Sequence, residues 1–311
     1  MKIAPFYSDI ADGPEGGVAH WLTTSDGLRI RVAHWTGPDL KGTILMFPGR
    51  TEYIEKYGRA AQEFLSRGYA TVVVDWRGQG LAGRTQANST YGDVGKFTDY
   101  QSDVAAMSAH VRDLGLPKPY YLVAHSMGGC IGLRALHEGL AVKAAAFSAP
   151  MWGIEMSPVL RPFAWIMSTL SRKLGFEEIL SPGQDAETFV EKVLFADNTL
   201  TSDEETFEFF KRQAAAYPDL TLGGPTLRWL NEALREMRKL AAKPSPTVPC
   251  LTFLGTDEEI VDPSRIRSRM AHWTNGHLEV IEGAKHEVMM ETPEVRTRVF
   301  DAICAHFDQN T

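Results

Sequence analysis

The sequence predicts an α/β fold, with a mostly parallel central sheet, helices on both faces and a helical cap inserted into it. Three observations carry that expectation. Short apolar runs of strand length alternate with segments of helical periodicity over residues 43–147, and the pattern resumes at residue 250. Three of these runs end in glycine-bearing loops: Pro48-Gly49-Arg50-Thr51-Glu52, Asp75-Trp76-Arg77-Gly78-Gln79-Gly80 and His125-Ser126-Met127-Gly128-Gly129. From Pro150 to about Lys243 the strands stop and only helical stretches follow. The expected organisation is a core of residues 1–150 and 244–311, interrupted by a cap at 151–243.

Taken in order, residues 18–36 read as a hairpin, with Ser25-Asp26-Gly27 between two alternating runs. His20 and His34 fall in its strands and read as surface or packed histidines. Thr43–Phe47 is continuously apolar after its threonine, as a strand buried on both faces requires. Residues 53–67 then place Ile54, Tyr57, Ala61, Phe64 and Leu65 on one helical face, and Gly68 stops the helix. Ala70–Val74 is a second buried strand. An irregular polar stretch, 81–98, precedes a helix near 99–114. Tyr121–Ala124 is the next strand, followed by a helix at 127–139 and the strand 144–147. In the cap, helices are expected near 158–174, 185–196, 202–216 and 224–241. The first carries a stripe of Phe163, Ile166, Met167, Leu170 and Leu174, read as packing on the core. Ser202-x-x-Glu205 reads as a capping box opening the third. The proline-rich tract 243–249 returns to a strand at 250–254, a helix at about 263–272 and a last strand at 278–281. Thr292-Pro293 starts the closing helix.

The chemistry centres on residues 120–129. Strand, sharp turn and helix with Ser126 at the apex is the order of a nucleophile elbow, whose strained turn lifts the serine oxygen clear of the sheet. Small residues must flank it, because strand and helix backbones cross close by. Gly128, Gly129 and Gly132 meet that need on one side, and Ala124 stands on the other where glycine is usual. A serine needs an adjacent base, and the base needs an orienting carboxylate. His286, just past the last strand, is the candidate base. His272, His277 and His306 fall in helices or on the opposite sheet edge. Asp257, Glu258, Glu259 and Asp262 crowd the loop after the strand at 250–254, and only one of them is expected to reach the imidazole. The oxyanion hole requires backbone N–H groups, expected from Met127 and Arg50.

Composition narrows the partners. A net charge of −7 over 311 residues argues against nucleic acid. Cys130, Cys250 and Cys304 are widely spaced and odd in number, which suits buried thiols in a reducing compartment rather than disulfides or a zinc site. No apolar h-region opens the chain, so a cytoplasmic address is expected.

From about residue 20 to 307 the chain resembles the α/β-hydrolase superfamily. Within it, Phe47–Tyr57, Asp75–Gly80 and His125–Gly129 look like the bacterial lysophospholipase and monoacylglycerol-lipase branch. Two departures are Phe47-Pro48-Gly49, where many relatives have His-Gly, and a glutamate for the usual aspartate of the triad. The resemblance puts the acid three residues after Gly255 and three before Val261, at Glu258, with Asp257 as the alternative. It implies a serine ester hydrolase with no metal or organic cofactor, acting on a lipid monoester (a lysophospholipid or monoacylglycerol) through an acyl-enzyme. The cap would roof the pocket and touch membrane surfaces transiently. The rival expectations are a carboxylesterase for small soluble esters and an inactive binding module.

Overall fold

A computed structural model describes residues 2–84 and 88–311. Residues 85–87, within the stretch expected to be irregular, lie outside the described residues. Nine strands form one sheet: β1 (Lys2–Ile3), β2 (Val18–Thr23), β3 (Arg29–Trp35), β4 (Gly42–Phe47), β5 (Tyr69–Asp75), β6 (Tyr120–His125), β7 (Ala145–Ser148), β8 (Cys250–Gly255) and β9 (Gly276–Ile281). Their order is β1-β2-β3-β5-β4-β6-β7-β8-β9. β1, β2 and β3 are antiparallel to their neighbours, and every pairing from β5 through β9 is parallel.

Ten α-helices accompany them among the described residues: α1 (Ser8–Ala11), α2 (Gly58–Ser66), α3 (Tyr100–Asp113), α4 (Met127–His137), α5 (Leu160–Leu174), α6 (Phe189–Lys192), α7 (Glu204–Ala216), α8 (Leu227–Ala241), α9 (Pro263–Met270) and α10 (Pro293–Asp308). Helices cover both faces of the sheet, giving two cores. One packs β4, β5 and β6 against α3 and α4 through Leu45, Val72, Leu122, Val104 and Ile131. The other packs the opposite faces of those strands against α2 and α10 through Met46, Val73, Val123, Phe64 and Phe300. Apolar residues on alternate faces both being buried is why these strands read as unbroken apolar runs. Cys130, Cys250 and Cys304 are buried and free. No helix among the described residues is long and apolar enough to cross a membrane.

The chain between β7 and β8 holds α5 to α8, and its backbone pairings with strand geometry are isolated bridges: Leu180 with Thr226, Gly92 with Pro225, and Ile154 with Val261. Details differ from expectation. The stretch 185–196 forms only the single turn α6 and part of a 3₁₀ turn at Phe195–Asp197. α7 is capped by Asp203, whose carboxylate accepts from the Thr206 N–H at 3.1 Å. Ser202 is drawn away by Glu291, which takes both its backbone N–H and its hydroxyl. The stripe of α5 does not pack on the core: Phe163, Ile166, Leu170 and Leu174 are exposed. α5 instead approaches α8 through the small buried Ser168 and Ser171, with the Asn231 amide donating to the Ser168 hydroxyl. β1 and α1, short elements at the start of the chain, have no periodicity to announce them.

Candidate active site

β6 delivers Ser126 to the carboxyl edge of the sheet with φ +49° and ψ −118°, a conformation that is strained for any residue with a Cβ. Three backbone bonds hold it there. Its N–H donates to Ser148 O at 3.1 Å, and its carbonyl accepts from Gly129 and Met151 at 2.9 and 2.8 Å. The helix side is as tight as an elbow needs. A Cβ on Gly128 would lie 2.1 Å from the Phe47 carbonyl oxygen, at the end of β4. Gly132 faces the strand as well: a Cβ there would sit 3.0 Å from Leu122 Cδ2 and 3.4 Å from the Ala124 methyl.

The Ser126 hydroxyl lies 2.9 Å from His286 Nε2, and His286 Nδ1 lies 2.8 Å from Glu258 Oε2. An ionised carboxylate only accepts, so Nδ1 carries the ring proton and Nε2 is left to receive one from the serine. The other Glu258 oxygen accepts from the backbone N–H of Ile260 and Val261 at 2.7 and 3.0 Å. Burial pushes this carboxyl up, but His286 and those two donors outweigh it and hold its pKa below the usual value. Asp257 is exposed and accepts from Thr256. Asp262 caps α9 and pairs with Arg161, and Glu259 is exposed. Of the four crowded carboxylates, Glu258 is the one at the imidazole.

Met127 opens α4, so its N–H is one of the helix-start donors without an intrahelical partner. The loop bearing Arg50 is braced by the loop after β5. Trp76 donates to Pro48 O at 2.9 Å, Gln79 donates to Gly49 O at 3.0 Å, and Thr51 donates back to Gln79 at 3.0 Å. The Arg50 guanidinium points towards the helical segment, donating to Gly223 O at 2.9 Å beside the Trp229 ring. Burial pushes its pKa down to about 10.

Sequence reasoning missed a charged cluster behind this site. Lys56 bridges Glu52 and Glu287 at 2.6 and 2.5 Å, and Tyr57 donates to Glu52. His125 Nδ1–H donates to Ser148 O at 3.1 Å, and its Nε2 faces Glu287 at 3.3 Å. Two available signals were the i,i+4 pair Glu52 and Lys56 and the position of Glu287 directly after His286. A cavity of about 630 Å³ opens over Ser126 and His286, walled by Tyr53, Phe163, Met167, Phe189, Trp229 and Leu230. That size suits a small-molecule ligand.

Residues 38–293 match the family described as serine aminopeptidase, S33. The chain belongs to that family of α/β-hydrolases. It lies in the lysophospholipase and monoacylglycerol-lipase-like branch. It is similar to lysophospholipase L2 of Escherichia coli (strain K12), 29% identical over 93% of this chain and 87% of that protein. It is also similar to the probable lysophospholipase L2 of Haemophilus influenzae, 28% identical over 91% and 90% of the two chains. Among solved structures, a soluble variant of monoglyceride lipase from Saccharomyces cerevisiae, in complex with a substrate analogue, superposes with a TM-score of 0.73 at 20% identity. That match covers 93% of this chain and 94% of the other. At that identity it bears on the fold alone.

Proposed function

We propose that this chain is a serine hydrolase of lipid monoesters, with a lysophospholipid or monoacylglycerol as substrate. The observation that carries the reading is the hydrogen-bonded series Ser126, His286, Glu258 at the floor of a cavity walled largely by apolar side chains. Relatives named for lysophospholipase activity support the substrate class. The buried carboxylates in the cavity wall argue for an ester over a free peptide amine. Glu52 and Glu287 are already bound by Lys56, and neither is spare to hold an ammonium.

In this mechanism Ser126 Oγ attacks the ester carbonyl as Nε2 of His286 takes its proton. Glu258 holds the imidazole in the required tautomer and stabilises the imidazolium. The backbone N–H groups of Arg50 and Met127 take the oxyanion. His286 then protonates the leaving alcohol, and the acyl-enzyme is cleared by water activated through the same ring. The segment 151–243 serves as a cap over a core of 1–150 and 244–311, and its exposed stripe gives transient contact with a lipid surface. We place the enzyme in the cytoplasm, where its three free thiols persist.

A fluorophosphonate probe tests the chemistry, followed by a panel of lysophospholipids, monoacylglycerols and p-nitrophenyl esters. Labelling of the natural chain but not of Ser126→Ala, with turnover rising with acyl length, is expected. No labelling of Ser126 would leave an inactive binding module. A preference for acetyl and butyryl esters would make it a carboxylesterase for small soluble substrates.

A further inference from the structure

Away from the active site, three histidines converge under the antiparallel edge of the sheet. β2 and β3 pair with His20 opposite Val32 and His34 opposite Val18, so the two rings are diagonal neighbours on one face. That face is covered by α3, which brings His110 down onto them. The His20 and His34 rings lie parallel with centroids 5.7 Å apart, and the His110 ring stands 5.0 Å from that of His20. One ring nitrogen from each lies within 4.8 Å of one from both of the others.

Their exposures are 7%, 9% and 3%, yet His20 Nδ1, His34 Nδ1 and His110 Nε2 have no hydrogen-bond partner among the described residues. Buried polar atoms are nearly always satisfied, and three orphans in one place call for a shared explanation. We propose that His20, His34 and His110 form a binding site for a borderline divalent cation, Zn²⁺ above all, clipping the β2–β3 hairpin to α3. Imidazole nitrogen is a preferred donor for Zn²⁺, Co²⁺ and Ni²⁺. Zn–N bonds of about 2.0–2.1 Å need a modest contraction of the present spacing. Three protein ligands leave a fourth coordination position that the three imidazoles do not fill.

The cluster is independent of ester hydrolysis. His20 and His34 lie on β2 and β3, whereas Ser126 follows β6, and β5 and β4 stand between the two sites in the sheet. In the other such group among the described residues, Glu52, His125 and Glu287, both carboxylates are already bound by Lys56.

The test uses the full, tag-free chain. Titration with Co²⁺ is expected to give the visible absorption of tetrahedral nitrogen ligation, saturating at one equivalent and displaced by Zn²⁺. Zn²⁺ should raise the thermal midpoint saturably. His110→Gln and His20→Gln should each abolish both responses while p-nitrophenyl butyrate turnover stays as in the natural chain. Absence of one-equivalent binding to the natural chain overturns the proposal, as does binding that survives in both variants. Should either variant fail to fold by circular dichroism, X-ray absorption of the Zn²⁺-loaded natural chain decides. Three imidazole ligands sustain the site, and fewer refute it.

Discussion

His125 Nε2 faces the Glu287 carboxylate at 3.3 Å, and the His125 ring lies 4.8 Å from that of His286. Burial pushes the His125 pKa down, but Glu287 and Glu52 overcome it and the net direction is up. Glu287 moves the other way: burial raises it, while His125 and Lys56 hold it well below the usual carboxyl value. With Glu52 and Lys56, the buried group balances two negative charges against two positive ones when His125 is protonated.

The pH dependence of stability follows from those directions. The His125 contribution is fully present below the unfolded imidazole pKa of about 6.5 and is lost as pH rises through its higher folded value. The Glu287 contribution is present above the unfolded carboxyl value and is lost as pH falls through its lower folded one. His125→Asn should cost about 3–5 kcal/mol at pH 6, the range for breaking a buried pair. Its difference from the natural chain should shrink as pH rises towards 9. Urea unfolding at several pH values measures this, and a difference independent of pH would show His125 to be neutral throughout.

Glu258→Gln keeps the shape of the carboxyl and removes its charge. An amide beside Nδ1 favours the wrong tautomer, and losses of about 10⁴ in kcat follow from that defect in other triads. Asp257→Asn should leave turnover near normal, because that side chain is exposed and reaches Thr256, not His286. Steady-state kinetics of the two variants separate them. If Asp257→Asn were the crippled one, the loop would have to rearrange on binding substrate.

Gly128→Ala would set a methyl carbon 2.1 Å from the Phe47 carbonyl, and neither backbone can yield without shifting the elbow. Overpacking of this kind costs about 1–3 kcal/mol. The expected result is a lower thermal midpoint together with a fluorophosphonate labelling rate reduced at least tenfold. Ala124→Gly, by contrast, should label at the normal rate. Slow labelling of that variant would show that the Ala124 methyl itself positions the turn.

The strands were legible because Ile44–Phe47 and Val72–Val74 are apolar at every position, a pattern that only double-sided burial explains. Ser126, Glu258 and His286 could be put on loops at one sheet edge for the same reason. Which carboxylate meets the imidazole could not be read from an acidic loop alone, and the choice of Glu258 came from counting against a resembling family. What escaped the sequence is non-local. Ser202 is bound by Glu291, 89 residues away, and Asp203 caps α7 in its place. The α5 stripe has core-like spacing, but α8 meets the face carrying Ser168 and Ser171, leaving the larger side chains outside. His20, His34 and His110 become a cluster only when hairpin register and helix packing are both known.

Arg50 separates a backbone role from a side-chain role. Arg50→Met keeps the N–H proposed for the oxyanion and deletes the bond to Gly223 O. Removing an oxyanion donor typically costs about 2.7–4 kcal/mol, seen in kcat. The substitution should cost less than that and appear mainly in KM, through a loosened hold on the loop at Gly223. A fall in kcat of the full size, with KM unchanged, would mean that the guanidinium itself acts in the transition state.

The exposed face of α5 gives the last test. Ile166, Leu170 and Leu174 are 57%, 45% and 67% exposed at successive four-residue steps, and none of the three lines the cavity. Burying an aliphatic side chain in lipid is worth about 1.5–3 kcal/mol. Ile166→Asp with Leu170→Asp should therefore weaken co-sedimentation with phosphatidylethanolamine–phosphatidylglycerol vesicles by more than about tenfold, since 1.4 kcal/mol already gives that factor. Hydrolysis of monomeric p-nitrophenyl butyrate should not change. Vesicle binding unaffected by the double substitution would remove the stripe from lipid contact, and loss of both activities would assign it to folding of the cap.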